Sequence, residues 1–182
     1  VNSKVSIAMD FVMYLSLKER PRGPAPGGVK VTFMLRRRKL LFAVNAHAGK
    51  AAIRTPFLGI LDTFVRSGYE PTVYLSQRSG ELPEIVREEA GSYDLVVCSG
   101  GDGTLNEVAA GAAGYGNAAV TAWAGGSGND FVRLFSEPRA FCHLARLLDA
   151  EETAFDMIRC NDSLALNICS VGLDARIGTD VA

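Results

Sequence analysis

Four short apolar runs recur between residues 40 and 123, and segments of helical period separate them. They are LLFAVN (40–45), PTVYLS (71–76), DLVVCSG (94–100) and AAVTAW (118–123). LLFAVN is apolar almost throughout instead of alternating, as expected of a strand buried on both faces. Between the first two runs, TPFLGILDTFVRSG (55–68) carries Thr55 as N-cap, Pro56 at the first helical position and Gly68 as the stop. Its Phe57, Ile60, Leu61, Phe64 and Val65 fall on one helical face. ELPEIVREEAG (81–91) predicts a second, shorter helix. TLNEVAAGAAG (104–114) predicts a third, with Leu105, Val108, Ala109 and Ala112 as its apolar stripe. Strands and helices alternating at this spacing predict an α/β fold with a parallel sheet covered on both faces.

The flanks read differently. FVRLF (131–135) opens a short helix, and PRAFCHLARLLD (138–149) predicts another with Phe141, Leu144, Ala145 and Leu148 on one side. Beyond it, AFDMIRC (154–160), a turn at Asn161-Asp162 and SLALNIC (163–169) predict an antiparallel hairpin. A β-rich domain is expected to begin at about residue 150 and to be cut short, leaving 151–182 as its start and 40–150 as the α/β domain. Residues 1–39 read as an extension and linker. VSIAMDFVMYLSL (5–17) is a short helix or strand, shorter than the roughly 20 residues of a spanning helix. RPRGPAPGG (20–28) has linker composition, and RRRK (36–39) is a short basic run.

Charge is nearly balanced, 19 basic against 20 acidic residues, so bulk electrostatics point neither to nucleic acid nor to an anionic membrane. The four cysteines, Cys98, Cys142, Cys160 and Cys169, form no C-x-x-C pair, and His47 and His143 are the only histidines. Reduced, buried thiols are expected, with neither a zinc site nor a disulfide framework.

The informative loops follow the strands. SGGDGT (99–104) places Gly100, Gly101 and Gly103 just before a helix near Thr104, where free N–H groups and a positive dipole end suit phosphate oxygens. Glycine offers backbone freedom and a close approach there. Asp102 would repel a phosphate unless a divalent cation lies between them, or unless it orients a hydroxyl or water. Thr104 could cap the helix or contact phosphate. Alone, this loop is equally a glycine turn with an N-cap. A second glycine-rich loop after the next strand, AGGSGND (124–130), and AHAGK after the first, with Lys50, would line the same sheet edge. None of the three has the Walker A or the G-x-G-x-x-G spacing.

GGDGTLNEV (100–108) followed by GGSGNDF (125–131) resembles the diacylglycerol kinase catalytic domain, whose superfamily extends to sphingosine and ceramide kinases and, more distantly, NAD kinases. The likeness runs from about Leu40 to Asp174. Asn45 and Gly49 match the family's first loop, with Ala46 in place of its proline, and Ser76 matches a threonine at the end of strand two. Gly100 to Asn106 match in full. Ser127 replaces threonine, and Asn129 and Asp130 match directly. Asp156 matches an aspartate in a later strand, and Asn167, Gly172 and Asp174 match the opening of the second domain.

The resemblance implies a parallel-sheet, NAD kinase-like domain followed by the truncated start of a β-sandwich domain. It implies phosphoryl transfer from ATP to a lipid hydroxyl, by default that of diacylglycerol. It implies ATP contacts at Asn45, Ser76, Gly100, Gly101, Asp102, Gly103, Thr104, Leu105, Asn106 and Ser127, and Mg²⁺ contacts at Asp102, Asp130 and Asp156. The general base is expected in the missing part of the second domain, not at Asp174 or Asp180. A cytoplasmic protein acting peripherally at the inner membrane face follows, with no nucleic-acid partner. The rival readings are a NAD kinase, which the NDF loop argues against, and an ATP-binding module without turnover.

Overall fold

The computed structural model describes residues 5–8, 12–17, 38–45, 57–78, 80–114, 118–124 and 129–169. In chain order the elements are β1 (Val5–Ala8), β2 (Val12–Leu17), β3 (Arg38–Asn45), α1 (Phe57–Arg66), β4 (Tyr69–Ser76), α2 (Glu81–Glu89), β5 (Leu95–Gly100), α3 (Asp102–Ala112), β6 (Ala119–Ala124), α4 (Leu144–Leu148), β7 (Ala150–Ala154), β8 (Met157–Cys160) and β9 (Ser163–Ala165). Short 3₁₀ turns occupy Ala90–Ser92, Val132–Leu134 and Pro138–Cys142.

Strands β4-β3-β5-β6 form a four-stranded parallel sheet, which β2 extends in parallel and β7 closes antiparallel. A second, antiparallel sheet has the order β1-β8-β9. The chain moves from β3 outward to β4, then back past β3 to β5. Right-handed crossovers in opposite directions put α1 and α2 on opposite faces. α2 packs on α3, and α1 on α4. Both faces of the central strands are thereby covered, so Leu40–Val44 and every residue of β5 are buried. Phe42 and Phe64 meet edge to face at 5.2 Å under α1. Gly111 lets α2 approach α3, since a Cβ there would lie 2.7 Å from the Pro83 carbonyl oxygen.

Several boundaries differ from expectation. Helix α3 starts at Asp102, two residues early, because Gly101 takes the N-cap position and its carbonyl accepts from Leu105 N–H at 3.0 Å. Gly68 ends the first helix region with φ +88°, the left-handed geometry that favours glycine. Thr55 and Pro56 lie outside the described residues. The helix expected over 138–149 is broken at His143, which is extended (φ −114°, ψ 90°). The tighter 3₁₀ turn rotates the chain, so Leu147 replaces Ala145 on the buried side. The expected strand 154–160 is likewise divided. β7 ends at Ala154 in the large sheet, and β8 begins at Met157 in the small one. The turn at Asn161-Asp162 stands as expected, with Cys160 opposite Ser163 and Asn161 at φ 54°. Residues 5–8 and 12–17 form strands, resolving the helix-or-strand ambiguity there.

The expectation of buried thiols holds for Cys98 alone. Cys142 and Cys169 are exposed and Cys160 is half-buried. Burial pushes the Cys98 thiol up to about 12, and a hydrogen bond with Cys160 raises that of Cys169. A thiol reagent at about pH 8 is expected to label Cys142 in the native protein, and Cys98 only after unfolding, because the thiolate is the nucleophile. Peptide mapping by mass spectrometry checks this, and equal labelling rates for the two would refute it.

Candidate active site

The strand order reverses between β3 and β5, and in open α/β sheets ligands bind at the carboxyl ends of the strands on either side of such a switch point. Asn45 ends β3, Ser76 ends β4 as its register partner, and Gly100 ends β5. The Asn45 side chain crosses the switch point, its Nδ2 donating to Thr104 Oγ1 at 3.0 Å. Thr104 is 4% exposed, and a Cβ on Gly100 would lie 2.3 Å from its Oγ1. Gly100 is thus required by packing, and its backbone does not enter the left-handed region. At Gly103 a Cβ would meet nothing within 4 Å, so the surface there is open to approach.

No side chain caps the N-terminus of α3. Its first N–H groups, which have no partner within a helix, present an anion-binding end. Asp102 is the first helical residue. Its Oδ1 accepts from Phe131 N–H at 3.1 Å, which ties the start of α3 to the loop after β6. That loop turns through Asn129 in the left-handed region (φ 53°), which asparagine tolerates. It is anchored by Phe131, buried against Phe135 and Phe155 at 5.4 and 5.1 Å. Asp130 between them is exposed and pairs with Arg133 at 3.1 Å.

Asp102, Asn106, Asp130, Phe131, Leu166, Asn167 and Ile168 line a cleft of about 210 Å³. Carboxylates come to it from the start of α3 (Asp102) and from the loop after β6 (Asp130). Leu166 and the largely exposed Ile168 supply an apolar wall from the segment after β9.

The structure therefore sorts the residues expected in the site. Asp102, Asn106 and Asp130 come together in the cleft. Asn45, Gly100 and Thr104 pack against one another at the strand ends and do not line the cleft, and Gly101 and Gly103 carry the open helix end. Ser76 and Leu105 are buried and do not line the cleft, so the side chain of Leu105 belongs to the core. Asp156 is exposed in the link between β7 and β8 and is not among the lining residues. Ser127, Lys50, Gly49, Gly172, Asp174 and Asp180 lie outside the described residues. Phe131, Leu166 and Ile168 were not foreseen as walls. Phe131 had a signal in its position directly after Asn129-Asp130, but the other two had none.

Asp102 and Asp130 on one cleft fit a magnesium ion shared with phosphate oxygens, since that ion is commonly held by one or two carboxylates, water and substrate phosphates. Among the described residues no group of three or more His, Cys, Asp or Glu could hold a metal by itself.

The fold and cleft define an α/β protein with an open cleft at the carboxyl edge of a parallel sheet, beside a helix end that no side chain caps. The family model of the diacylglycerol kinase catalytic domain matches residues 39–160, and the chain belongs to that family. It is 30% identical over 131 residues to a diacylglycerol kinase of Staphylococcus haemolyticus, covering 70% of this chain and 40% of that relative. A crystal structure of a diacylglycerol kinase from Bacillus anthracis str. Sterne superposes with a TM-score of 0.51 at 26% identity, over 62% of this chain and 38% of that one. A second structure from the same organism shares the fold over 80% of this chain and 52% of that one, with a TM-score of 0.62 at 23% identity. The chain spans less than half the length of the curated relatives it first matches.

Proposed function

We propose that this chain is the nucleotide-binding portion of an ATP-dependent lipid kinase that transfers the γ-phosphoryl group to a lipid hydroxyl, with diacylglycerol as the acceptor and phosphatidic acid as the product. One observation carries the reading. A helix end without a side-chain cap and two carboxylates border the same cleft as an apolar wall, so a phosphate chain and an apolar acceptor have adjoining surfaces.

In this reading the phosphates lie over Gly103 and the first N–H groups of α3, while Asp102 and Asp130 face them. Magnesium, when bound there, neutralises charge that the carboxylates would otherwise set against the phosphates. Asp102 has a second task, holding the Asp130 loop through Phe131 N–H. Transfer forms a bond from the acceptor oxygen to the γ-phosphorus and breaks the bond to the bridging oxygen, with ADP leaving. The acceptor proton passes to a base outside the described residues. Catalysis in such a site comes from positioning and charge neutralisation. No helix among the described residues is long and apolar enough to cross a membrane. In this reading a lipid acceptor is met by peripheral contact at the inner membrane face, from the cytoplasm.

The test is label transfer. The chain is incubated with γ-labelled ATP, Mg²⁺ and mixed micelles of diacylglycerol and sphingoid bases, with NAD in a parallel tube and Asp102→Asn as control. Labelled phosphatidic acid that disappears in the variant would establish lipid phosphorylation by this chain. Label in a sphingoid phosphate would correct the acceptor, and label in NADP would overturn the lipid reading. Nucleotide binding with no transfer to any acceptor would reduce the chain to a binding module.

A further inference from the structure

Asn106 binds the backbone of another element through both ends of its amide. It lies on α3 four residues after Asp102, so the two share a helix face, and both line the cleft. Its Nδ2 donates to the Leu164 carbonyl at 3.3 Å, and its Oδ1 accepts from Leu166 N–H at 2.8 Å. Donating to the carbonyl before a residue while accepting from the N–H after it is what a residue of a parallel strand does to its neighbour. Here one side chain supplies both bonds around Ala165. β9 ends at that point, and the next three residues line the cleft, Leu166 and Ile168 as its apolar wall with Asn167 between them.

We propose that Asn106 is a positioning residue and not a nucleotide ligand: by standing in for a strand, it holds the Leu166–Ile168 wall at a set distance from the phosphate-binding end of α3, and so determines where an apolar acceptor lies relative to Asp102. The kinetic part of this rests on the lipid kinase reading; the geometric part does not. One N–H and one lone pair of the amide are committed to the main chain on either side of Ala165, which turns the side chain toward that segment, and the wall loses its anchor if the amide is removed.

The test compares the unaltered chain with Asn106→Ala and Asn106→Asp. Amide hydrogen exchange at Leu166 is expected to speed up by about tenfold or more in Asn106→Ala, with β5 amides unchanged, because only that segment is released. The KM for micellar diacylglycerol is expected to rise about tenfold, while the KM for ATP stays within about twofold, since a small misplacement of a reacting partner is costly. Asn106→Asp keeps the acceptor for Leu166 N–H and loses the donor. It should retain protection at Leu166 with a smaller rise in acceptor KM, and it decides the matter should the alanine variant not fold. Weaker ATP binding with unchanged Leu166 exchange would overturn the proposal, as would released Leu166 with an unchanged acceptor KM. If the unaltered chain transfers no phosphate to any lipid, the lipid reading fails separately. Leu166 exchange and the affinity for a non-hydrolysable ATP analogue then still decide the role of Asn106: released Leu166 with unchanged affinity supports it, and the converse overturns it.

Discussion

Asp102→Asn is expected to lower phosphoryl transfer by about 10²–10³-fold while leaving the fold intact, the magnitude that follows from removing one preorganised electrostatic contact. The substitution separates the two tasks of this side chain. An asparagine carbonyl oxygen still accepts from Phe131 N–H, so the link at 3.1 Å between α3 and the Asp130 loop survives. The charge does not survive, and with it goes the one carboxylate that α3 contributes to the cleft lining. Asp102→Ala removes both. It should match the activity loss and also lower the melting temperature by about 2–4 °C, because an amide hydrogen bond contributes about 1 kcal/mol and a chain of this size loses about that much per kcal/mol. Steady-state transfer rates with melting curves for both variants make the comparison. Activity above about a third of the unaltered level in Asp102→Asn would mean that the hydrogen bond is the whole contribution of Asp102.

Gly100→Ala is expected to destabilise the domain by about 2–3 kcal/mol, as forced overpacking does, and to lower its melting temperature by about 5–10 °C. The added Cβ would stand 2.3 Å from Thr104 Oγ1, 2.5 Å from its Cβ and 2.7 Å from its Cγ2. Thr104 has little room to yield. It is 4% exposed, and Asn45 holds its hydroxyl at 3.0 Å. Adding Thr104→Ala removes two of the three close atoms and leaves the contact with Cβ, so rescue should be partial, and the pair should be non-additive in a double-mutant cycle. Gly103→Ala is the contrast. Nothing lies within 4 Å of its added Cβ, so stability should hold or rise, while nucleotide affinity falls because the methyl occupies the approach to the helix end. Denaturant unfolding and a nucleotide titration measure both effects. Equal stability of Gly100→Ala and the unaltered chain would refute the packing account of Gly100.

Much of the α/β frame was legible in the residues because burial on two faces leaves a one-dimensional trace. Leu40–Val44 and Leu95–Cys98 are apolar without alternation, and they are the central strands. Leu105, Val108, Ala109 and Ala112 recur at helical spacing, and all four are buried. The glycines of the loop after β5 were also legible, though for Gly100 the operative reason is the space taken by Thr104 and not unusual torsion angles. The break at His143 was not legible, because a 3₁₀ turn and an α-helix differ by less than one residue per turn and packing decides between them. Nor could motif position separate the residues of one stretch. Asp102 and Asn106 line the cleft while Leu105 between them enters the core, and Ser76 is buried at the carboxyl end of β4.

By itself the sequence determined the parallel sheet, its glycine-rich edge and the pairing of that edge with acidic residues, since these follow from local hydrophobic period and backbone chemistry. Only the tertiary structure decided which side chains share the cleft and which hold it in place. Asn45 meets Thr104 across 59 residues, Asp102 meets Phe131 across 29, and Asn106 meets Leu166 across 60. Contacts at such separations leave no periodic mark on a chain, because they depend on where the crossovers return it.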